Sequence, residues 1–102
     1  MTPFFFIDVH PEVASDYTQA YDWYEAQQKG LGERFLQEVR KQLRQISTNP
    51  EIHGTKNKKG FREAIVRHFP FLIVYKIYPK TGRVFIASVH HTSQNPRKKY
   101  RK

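Results

Sequence analysis

The feature that most constrains the fold of this chain is a change in the spacing of its apolar residues. Between residues 10 and 46 they recur every three or four positions in two blocks, which predicts two amphipathic helices. Between residues 61 and 91 the pattern changes to three short blocks of period-2 alternation, which predicts β-strands. Only Gly-Leu-Gly at 30–32 separates the helical blocks, so the helices are expected to form an antiparallel hairpin.

The first helix is expected to open at His10-Pro11 and to end near Lys29, because proline suits the first helical position and glycine suits the residue after the last. The second helix is expected from about Glu33 to Ile46, and Ser-Thr-Asn-Pro at 47–50 ends it. The two predicted buried stripes are Val13, Tyr17, Ala20 and Tyr24, and Phe35, Val39, Leu43 and Ile46.

Strands are predicted at 4–9, 61–68, 71–78 and 83–91, with a polar, basic loop at 51–60. The predicted fold class is therefore α+β. An N-terminal strand and an antiparallel two-helix hairpin precede a sheet of three or four antiparallel strands, and the hairpin packs on one face of that sheet. A chain of 102 residues has room for a single domain, 1–102.

Alternation along the strands predicts which side chains share a face. The predicted sets in the last strand are Phe85, Ala87 and Val89 toward the helices, and Val84, Ile86, Ser88 and His90 away from them. Tyr75 is predicted to belong to the core. The face away from the helices, holding His90, Lys76 and Arg62, is the predicted functional surface.

The charge of the chain is strongly segregated. Its formal net charge is +9, and all nine acidic residues lie at or before Glu63. Nine Lys and Arg residues follow from Arg67 onward without an acidic residue among them, and they include a predicted basic tail at 97–102. Such segregation favours a surface that meets nucleic acid or an acidic protein.

Several classes of protein are excluded by what the sequence lacks. Without cysteine there are no disulfides and no thiolate zinc sites. His90 and His91 lack helical i, i+4 spacing and a nearby carboxylate, so no metal and no cofactor are predicted. The apolar run Phe4–Ile7 is too short to span a membrane, so a cytoplasmic location with no membrane partner is expected.

A set of short motifs spans nearly the whole chain. They are Trp23-Tyr24, Gly30-Leu31-Gly32, Phe35, Asn49-Pro50, Arg62, Phe69-Pro70-Phe71, Val74-Tyr75 and Val89-His90. None is specific alone, but their order and spacing resemble the RelE/ParE superfamily of bacterial toxins, which includes plasmid stabilisation proteins. The resemblance implies the toxin of a type II toxin–antitoxin system, held inactive by a cognate antitoxin.

That superfamily contains two mechanisms, and the sequence is closer to one of them. RelE-like members cut messenger RNA in the ribosome with basic and tyrosine side chains and without metal, whereas ParE-like members lack those residues and poison DNA gyrase. Leu72 and Thr92 stand at or near places where the RelE-like pattern has arginine, and Ala64 replaces another basic residue. These departures favour a ParE-like toxin that binds an essential target.

Two alternatives stay open. One is a ribosome-dependent, metal-independent endoribonuclease with a rearranged site, in which His90 transfers a proton and Arg62 contacts the phosphate. The other is a non-toxic, basic nucleic-acid-binding module. The residues predicted to bind nucleic acid or the target are Arg62, Arg67, Lys76, Arg83, Arg97, Lys98 and Lys99.

Overall fold

The computed structural model describes residues 4–101, apart from the side chain of Lys98. Its elements are strand β1 (Phe6–Val9), helices α1 (Val13–Gln27) and α2 (Leu31–Thr48), and strands β2 (Arg62–Ile65), β3 (Phe71–Tyr78) and β4 (Arg83–His91). Short 3₁₀ helices span Pro50–Ile52 and Pro96–Lys98. Strands β3 and β4 occupy the predicted residues, whereas α2 is longer and β2 is shorter than predicted.

The four strands form one sheet in the order β1-β4-β3-β2. Strands β2, β3 and β4 pair antiparallel, as predicted. The predicted α+β fold, a two-helix hairpin on one face of the sheet, is confirmed. Strand β1 pairs with β4 in parallel, from Phe6 opposite Arg83 to Val9 opposite Ile86, so the sheet is mostly and not entirely antiparallel as predicted. Alternation identifies strand residues, but the direction in which the two ends of a chain pair depends on how the intervening helices carry it across the sheet.

The link between the helices needs its two glycines for different reasons. Gly30 has a φ of 87°, which glycine adopts without strain. Gly32 has no room for a side chain, because a Cβ there would lie 2.7 Å from Cγ of Glu25 and 2.8 Å from the carbonyl oxygen of Tyr21. The Glu25 carboxylate closes the link by accepting hydrogen bonds from the backbone N–H of Gly30 at 3.1 Å and of Gly32 at 2.8 Å.

The main core lies between the helical hairpin and the sheet. The predicted stripes are buried here, with Val13, Ala20, Tyr24, Phe35, Val39 and Ile46 in the core and Tyr17 and Leu43 packed at its edge. At its centre the rings of Tyr24, Phe35 and Phe71 have centroids between 4.9 and 6.2 Å apart. Burial of each large apolar side chain contributes about 1.5–3 kcal/mol, so this face supplies most of the hydrophobic stabilisation.

The opposite face of the sheet carries a smaller apolar cluster. Its buried members are Phe61, Val74 and Ala87, with Leu72, Phe85 and Tyr100 packed around them. The face away from the helices is therefore not an open polar surface throughout.

A β-bulge in β4 lies at this second cluster. Val74 pairs with Ser88, but the next residue of β3, Tyr75, pairs with Ile86, so β4 has one extra residue at Ala87. The Ala87 side chain joins the cluster away from the helices and not the helix-side core, contrary to the prediction.

The bulge explains which facing predictions failed in β4. One extra residue shifts a period-2 pattern by one position, so a single alternation cannot hold on both sides of it. Before the bulge, Val84 and Ile86 face the helices and Phe85 faces away, which is the reverse of the prediction. After the bulge, Val89 faces the helices and His90 faces away, as predicted.

Candidate functional site

The end of the chain covers part of the second sheet face. Residues 96–101, here called the C-terminal strap, fold back over β4. The Ser88 hydroxyl donates a hydrogen bond to the carbonyl oxygen of Lys99 at 2.8 Å, and the ring of Tyr100 lies on that of Phe61 with centroids 5.1 Å apart. The predicted basic tail is thus part of the folded domain through residue 101, and Lys102 lies outside the described residues.

One anchor of the strap is an ion pair with α1. Arg101 donates two hydrogen bonds to the Asp16 carboxylate, at 2.7 and 2.9 Å, and its Nε lies 3.4 Å from a carboxylate oxygen of Glu12. The same Asp16 carboxylate accepts a hydrogen bond from the backbone N–H of Val89 at 2.9 Å. The side chains of Arg101 and Asp16 are only 15% and 14% exposed, so solvent screens this bidentate pair less than a surface pair.

A second anchor joins the strap to β2. The Glu63 carboxylate accepts a hydrogen bond from the Tyr100 hydroxyl at 2.5 Å and lies 2.9 Å from Nζ of Lys99. Burial alone would raise the pKa of Glu63, but the hydrogen bonds from Tyr100 and Lys99 outweigh burial and lower this pKa below its ordinary value. Burial, together with the hydrogen bond to Glu63, raises the pKa of Tyr100 to about 12. At neutral pH the phenol is therefore a donor and the carboxylate an acceptor.

Some cations that lack acidic neighbours in the sequence have acidic partners in space. These pairs are Arg101 with Asp16, Lys99 with Glu63, and Arg83 with Asp8 at 3.0 Å. The C-terminal excess of positive charge seen in the sequence is thus partly neutralised by the fold. Among the side chains that the structure describes in this part of the chain, those of Arg67, Lys76, Lys80 and Arg97 make no ion pair with another described residue.

His90 lies beneath the strap. It is 4% exposed and borders a cavity of about 170 Å³ that Asp16, Ser88 and Arg101 also line. Burial, and then the positive charge of Lys99, lower the pKa of His90, so the imidazole is neutral at neutral pH. The histidine is on the predicted face of the sheet, but the strap covers this part of the face.

Arg62 lies on the other face. It pairs with Tyr75 across the β2–β3 ladder, and directly paired residues share a face, here the one toward the helices. Its guanidinium donates to the carbonyl oxygen of His53, and Tyr75, buried as predicted, donates to that of Pro50 at 2.7 Å. Both bonds tie the loop after α2 to the sheet. The expectation that Arg62 shares a surface with His90 is therefore wrong.

The other predicted binding residues do not converge on one site. Arg67 is exposed in the turn after β2, and Arg97 is exposed in the strap. Arg83 is in an ion pair with Asp8, and the side chain of Lys98 is outside the described part of the structure.

Lys76 was predicted as a binding residue, but the groove that it lines was not predicted. Its ammonium group lies 5.7 Å from the centroid of the Phe61 ring and 5.6 Å from that of Tyr78. The basic groove, as we call it, has a volume of about 660 Å³ and is lined by Lys58, Lys59, Phe61, Lys76, Tyr78, Phe85 and Arg101. The groove brings together lysines from the 51–60 loop and from β3.

The sequence did contain a signal for this groove in the lysine-rich loop before β2. The Asn57 side chain accepts hydrogen bonds from the backbone N–H of Lys59 at 3.0 Å and of Phe61 at 3.2 Å. The backbone N–H of Lys56 donates to the carbonyl oxygen of Phe61 at 2.7 Å, so the loop folds back beside β2. Because β2 pairs with β3, a lysine loop leading into β2 lies near the far end of β3, where Lys76 projects.

A second groove lies between α1 and the ends of β3 and β4. Trp23 at its border is 60% exposed and packs edge-on against Tyr24, with ring centroids 5.2 Å apart. This tryptophan groove has a volume of about 440 Å³, and Ala20, Phe71 and Val89 contribute its apolar lining. Exposed tryptophans beside apolar grooves are typical of protein interfaces.

Among residues 4–101, no group of three His, Cys, Asp or Glu side chains is arranged to hold a metal ion. None of the helices described there is long and apolar enough to cross a membrane.

A helical hairpin on one face of a mostly antiparallel four-stranded sheet defines a known class of proteins. The chain superposes on a structure of the chromosomal ParDE toxin–antitoxin system from P. aeruginosa with a TM-score of 0.75 and 14% identity, over 88% of this chain and 98% of that one. It superposes on an arginine-to-alanine mutant of E. coli toxin RelE in the free state with a TM-score of 0.67 and 16% identity, over 88% and 85% of the two chains. The fold is therefore that of the RelE/ParE superfamily.

The family within that superfamily follows from a sequence comparison. The profile of the ParE toxin of type II toxin–antitoxin systems, parDE, matches residues 7–96. The chain belongs to the ParE toxin family, and the resemblance stated from its motifs, closer to ParE than to RelE, is confirmed. No curated protein matches the chain in sequence.

Proposed function

We propose that this protein is a cytoplasmic toxin that inhibits growth by binding an essential target, DNA gyrase, and that a cognate antitoxin neutralises it. The observation that carries a binding mechanism, as opposed to hydrolysis, is the position of Arg62 and His90 on opposite faces of the sheet. Cleavage of RNA through its 2′-hydroxyl needs a proton-transfer group and a cation at one phosphate. These two residues do not meet that requirement.

The surroundings of His90 also favour binding over cleavage. The strap covers it through the anchors of Lys99 and Arg101, so a substrate phosphate has no access while the strap is closed. Leu72, the partner of His90 across the β3–β4 ladder, supplies no charge at a place where RelE-like enzymes have arginine.

The proposed antitoxin is recognised by charge and by an apolar anchor. The net charge of +9 attracts an acidic segment, and the tryptophan groove beside Trp23 offers an apolar site for the same segment. An acidic, amphipathic segment that is disordered before binding fits both features. The association rate is then expected to fall as ionic strength rises from low to physiological, because screening weakens the attraction. A complex insensitive to salt would contradict this electrostatic part.

The mechanism is tested by comparing His90→Gln with His68→Gln, the same chemical change at an exposed position. Both variants are expected to inhibit growth and to block gyrase supercoiling in vitro as the unmodified protein does. The ends of ribosome-bound transcripts should not change on induction. If only His90→Gln lost toxicity, and the unmodified protein generated new transcript ends, the ribosome-dependent nuclease would be the correct function.

A charge-removal variant gives the complementary result. Replacing Arg97, Lys98 and Lys99 together by Gln is expected to weaken growth inhibition more than His90→Gln does, because Arg97 and Lys98 supply docking charge and Lys99 anchors the strap that carries them. Lys99 also pairs with Glu63, so Lys99→Gln alone separates loss of the strap anchor from loss of docking charge. Full toxicity of the triple variant would contradict the docking role of the strap.

A further inference from the structure

We propose that the basic groove binds single-stranded nucleic acid, with its lysines on the phosphates and its exposed aromatic rings stacked on bases. The inference concerns a site in the isolated protein and does not require gyrase to be the target. Its residues are largely distinct from those predicted from the sequence, since only Lys76 belongs to both sets.

The first support is that the lysines of the groove have no acidic partners. Lys58, Lys59 and Lys76 make no ion pair with any residue between 4 and 101. Glu63, the carboxylate of the neighbouring strand on this face, is neutralised by Lys99 and does not repel an anion. Positive charges without carboxylate partners, gathered along one groove, are the electrostatic requirement for contact with a phosphodiester chain.

The second support is the aromatic lining. Tyr78 at the end of β3 is 45% exposed, and Phe85 is partly exposed on the adjacent strand. The ammonium group of Lys76 lies 5.6 Å from the centroid of the Tyr78 ring, so a cation stands beside an exposed ring in the groove. Single-stranded nucleic acids are bound by this combination, because phosphates follow the cations and unpaired bases stack on the rings.

The third support is that the unpaired cations of the groove are lysines and not arginines, which favours phosphate over the carboxylates of an acidic peptide. Planar, bidentate recognition of carboxylates is typical of arginine, whereas lysine contacts phosphate as a compact point charge. The one arginine of the groove, Arg101, already uses its guanidinium on Asp16. The unoccupied cations are all lysines. A duplex is also disfavoured, since its bases are paired and stacked and cannot reach Tyr78.

The loop is held in place before any ligand arrives. The Asn57 carboxamide fixes Lys59 and Phe61 through their backbone N–H groups, and Gly60 turns the chain with a φ of 90°. A groove arranged in advance loses less conformational freedom on binding than a mobile loop does.

The test measures fluorescence anisotropy of labelled twelve-nucleotide oligo-dT and oligo-U against the full-length protein. The groove variant is Lys58→Gln, Lys59→Gln and Lys76→Gln combined. The matched control removes the same charge from exposed positions of α2, with Arg40→Gln, Lys41→Gln and Arg44→Gln. Circular dichroism and urea unfolding confirm that each variant is folded.

The groove variant is expected to lose roughly 10-fold or more in affinity and to reduce the slope of log K against log salt by about 2, as for three phosphate contacts on a single strand. The control should change affinity only ~2-fold through the long-range field. Tyr78→Leu should weaken binding by about 5- to 10-fold without changing the salt slope, because stacking does not release counterions.

Three results would overturn the proposal. Equal losses in the groove and control variants would mean that only net charge matters. Duplex DNA binding as tightly as the single strand would remove the role of the rings. Binding of a poly-glutamate peptide at the groove, with no binding of either oligonucleotide, would assign the groove to an acidic protein partner. The assay contains no gyrase. A negative result would therefore contradict this proposal without bearing on the proposed target, which the supercoiling assay tests.

Discussion

The two faces of the sheet are built in different ways. Toward the helical hairpin, the core is broad and apolar, and Phe35, Ile46 and Ile73 have no exposed surface. Away from the hairpin, the cluster around Phe61 is small, and the strap that borders it is anchored by ion pairs such as that of Arg101. Ion pairs respond to salt and pH, whereas apolar burial depends on neither charge nor protonation. The helix side of the sheet therefore supplies most of the stability, whereas the strap side is the one expected to respond to salt and pH.

The bulge in β4 lets residues 86 and 88, which would otherwise share a face, point to opposite faces of the sheet. The extra residue lets Ile86 reach the helices while Ser88 reaches the strap. The carbonyl oxygen of Ala87, the extra residue of the bulge, accepts a hydrogen bond from Arg101 at 3.3 Å, so the strap also contacts the backbone of the bulge.

The largest expected difference between the faces is in core truncation. Phe35→Ala, on the helix side, is expected to lower the free energy of unfolding by about 3–5 kcal/mol, because it leaves a large cavity in the broad core. Phe61→Ala, at 2% exposure in the smaller cluster, should cost about 3 kcal/mol or less, since Tyr100 and the strap can move into the space. Urea unfolding measures both. Equal losses of unfolding free energy in the two variants would contradict the difference between the two faces.

A smaller effect tests the hairpin that covers the apolar face. Gly32→Ala is expected to destabilise the protein by about 1–3 kcal/mol, because its methyl group would meet the Tyr21 carbonyl oxygen, which cannot move freely. Gly54→Ala is the matched control, since a Cβ there meets nothing within 4 Å. Thermal unfolding should separate the two variants. A Gly32→Ala protein as stable as the control would show that the hairpin link tolerates a side chain.

Release of the strap should affect only the second face. Arg101→Gln is expected to increase hydrogen exchange at residues 96–101 and to lower the free energy of unfolding by about 1–2 kcal/mol. The amides of α2 should keep their protection. Arg83→Gln breaks the exposed pair with Asp8 and serves as the control, with a change of at most about 0.5 kcal/mol. Faster exchange throughout α2 in Arg101→Gln would mean that the two faces do not open separately.

The smallest effect concerns pH. The pKa of Glu63 is lower in the folded protein than its ordinary value of 4.5, so its contribution is complete above that pH and is lost as the pH falls further. The unmodified protein should therefore lose about 1 kcal/mol or less relative to Glu63→Gln below pH 4.5. Urea midpoints at several acidic pH values measure the difference. A constant difference between the two proteins across this range would exclude a role for Glu63 ionisation.

Most of the helical hairpin could be predicted from the sequence because its determinants are local. The stripes through Val13, Tyr24, Phe35 and Ile46 follow the period of the helix, and Gly30 stands where the chain turns between the helices with a positive φ. The limits of β3 and β4 were likewise marked by turn residues close in the sequence.

The candidate site was less predictable because its contacts are long-range. Nothing local to Arg101 marks Asp16 as its partner, and nothing local to Arg62 marks the carbonyl oxygen of His53. Strand alternation and charge predict Lys76 as a binding residue, but its meeting with the 51–60 loop depends on strand pairing.

The sequence by itself determined where helices and strands form, which residues of the two helices line the core, and that the positive charge lies toward the C-terminus. The tertiary structure alone decided the parallel direction of β1, the phase shift at Ala87 and the pairing of the strap with Asp16 and Glu63. The physical reason is one of range. Periodicity and turn chemistry act over a few residues, whereas strand direction, bulges and ion pairs between distant segments arise only when the whole chain packs.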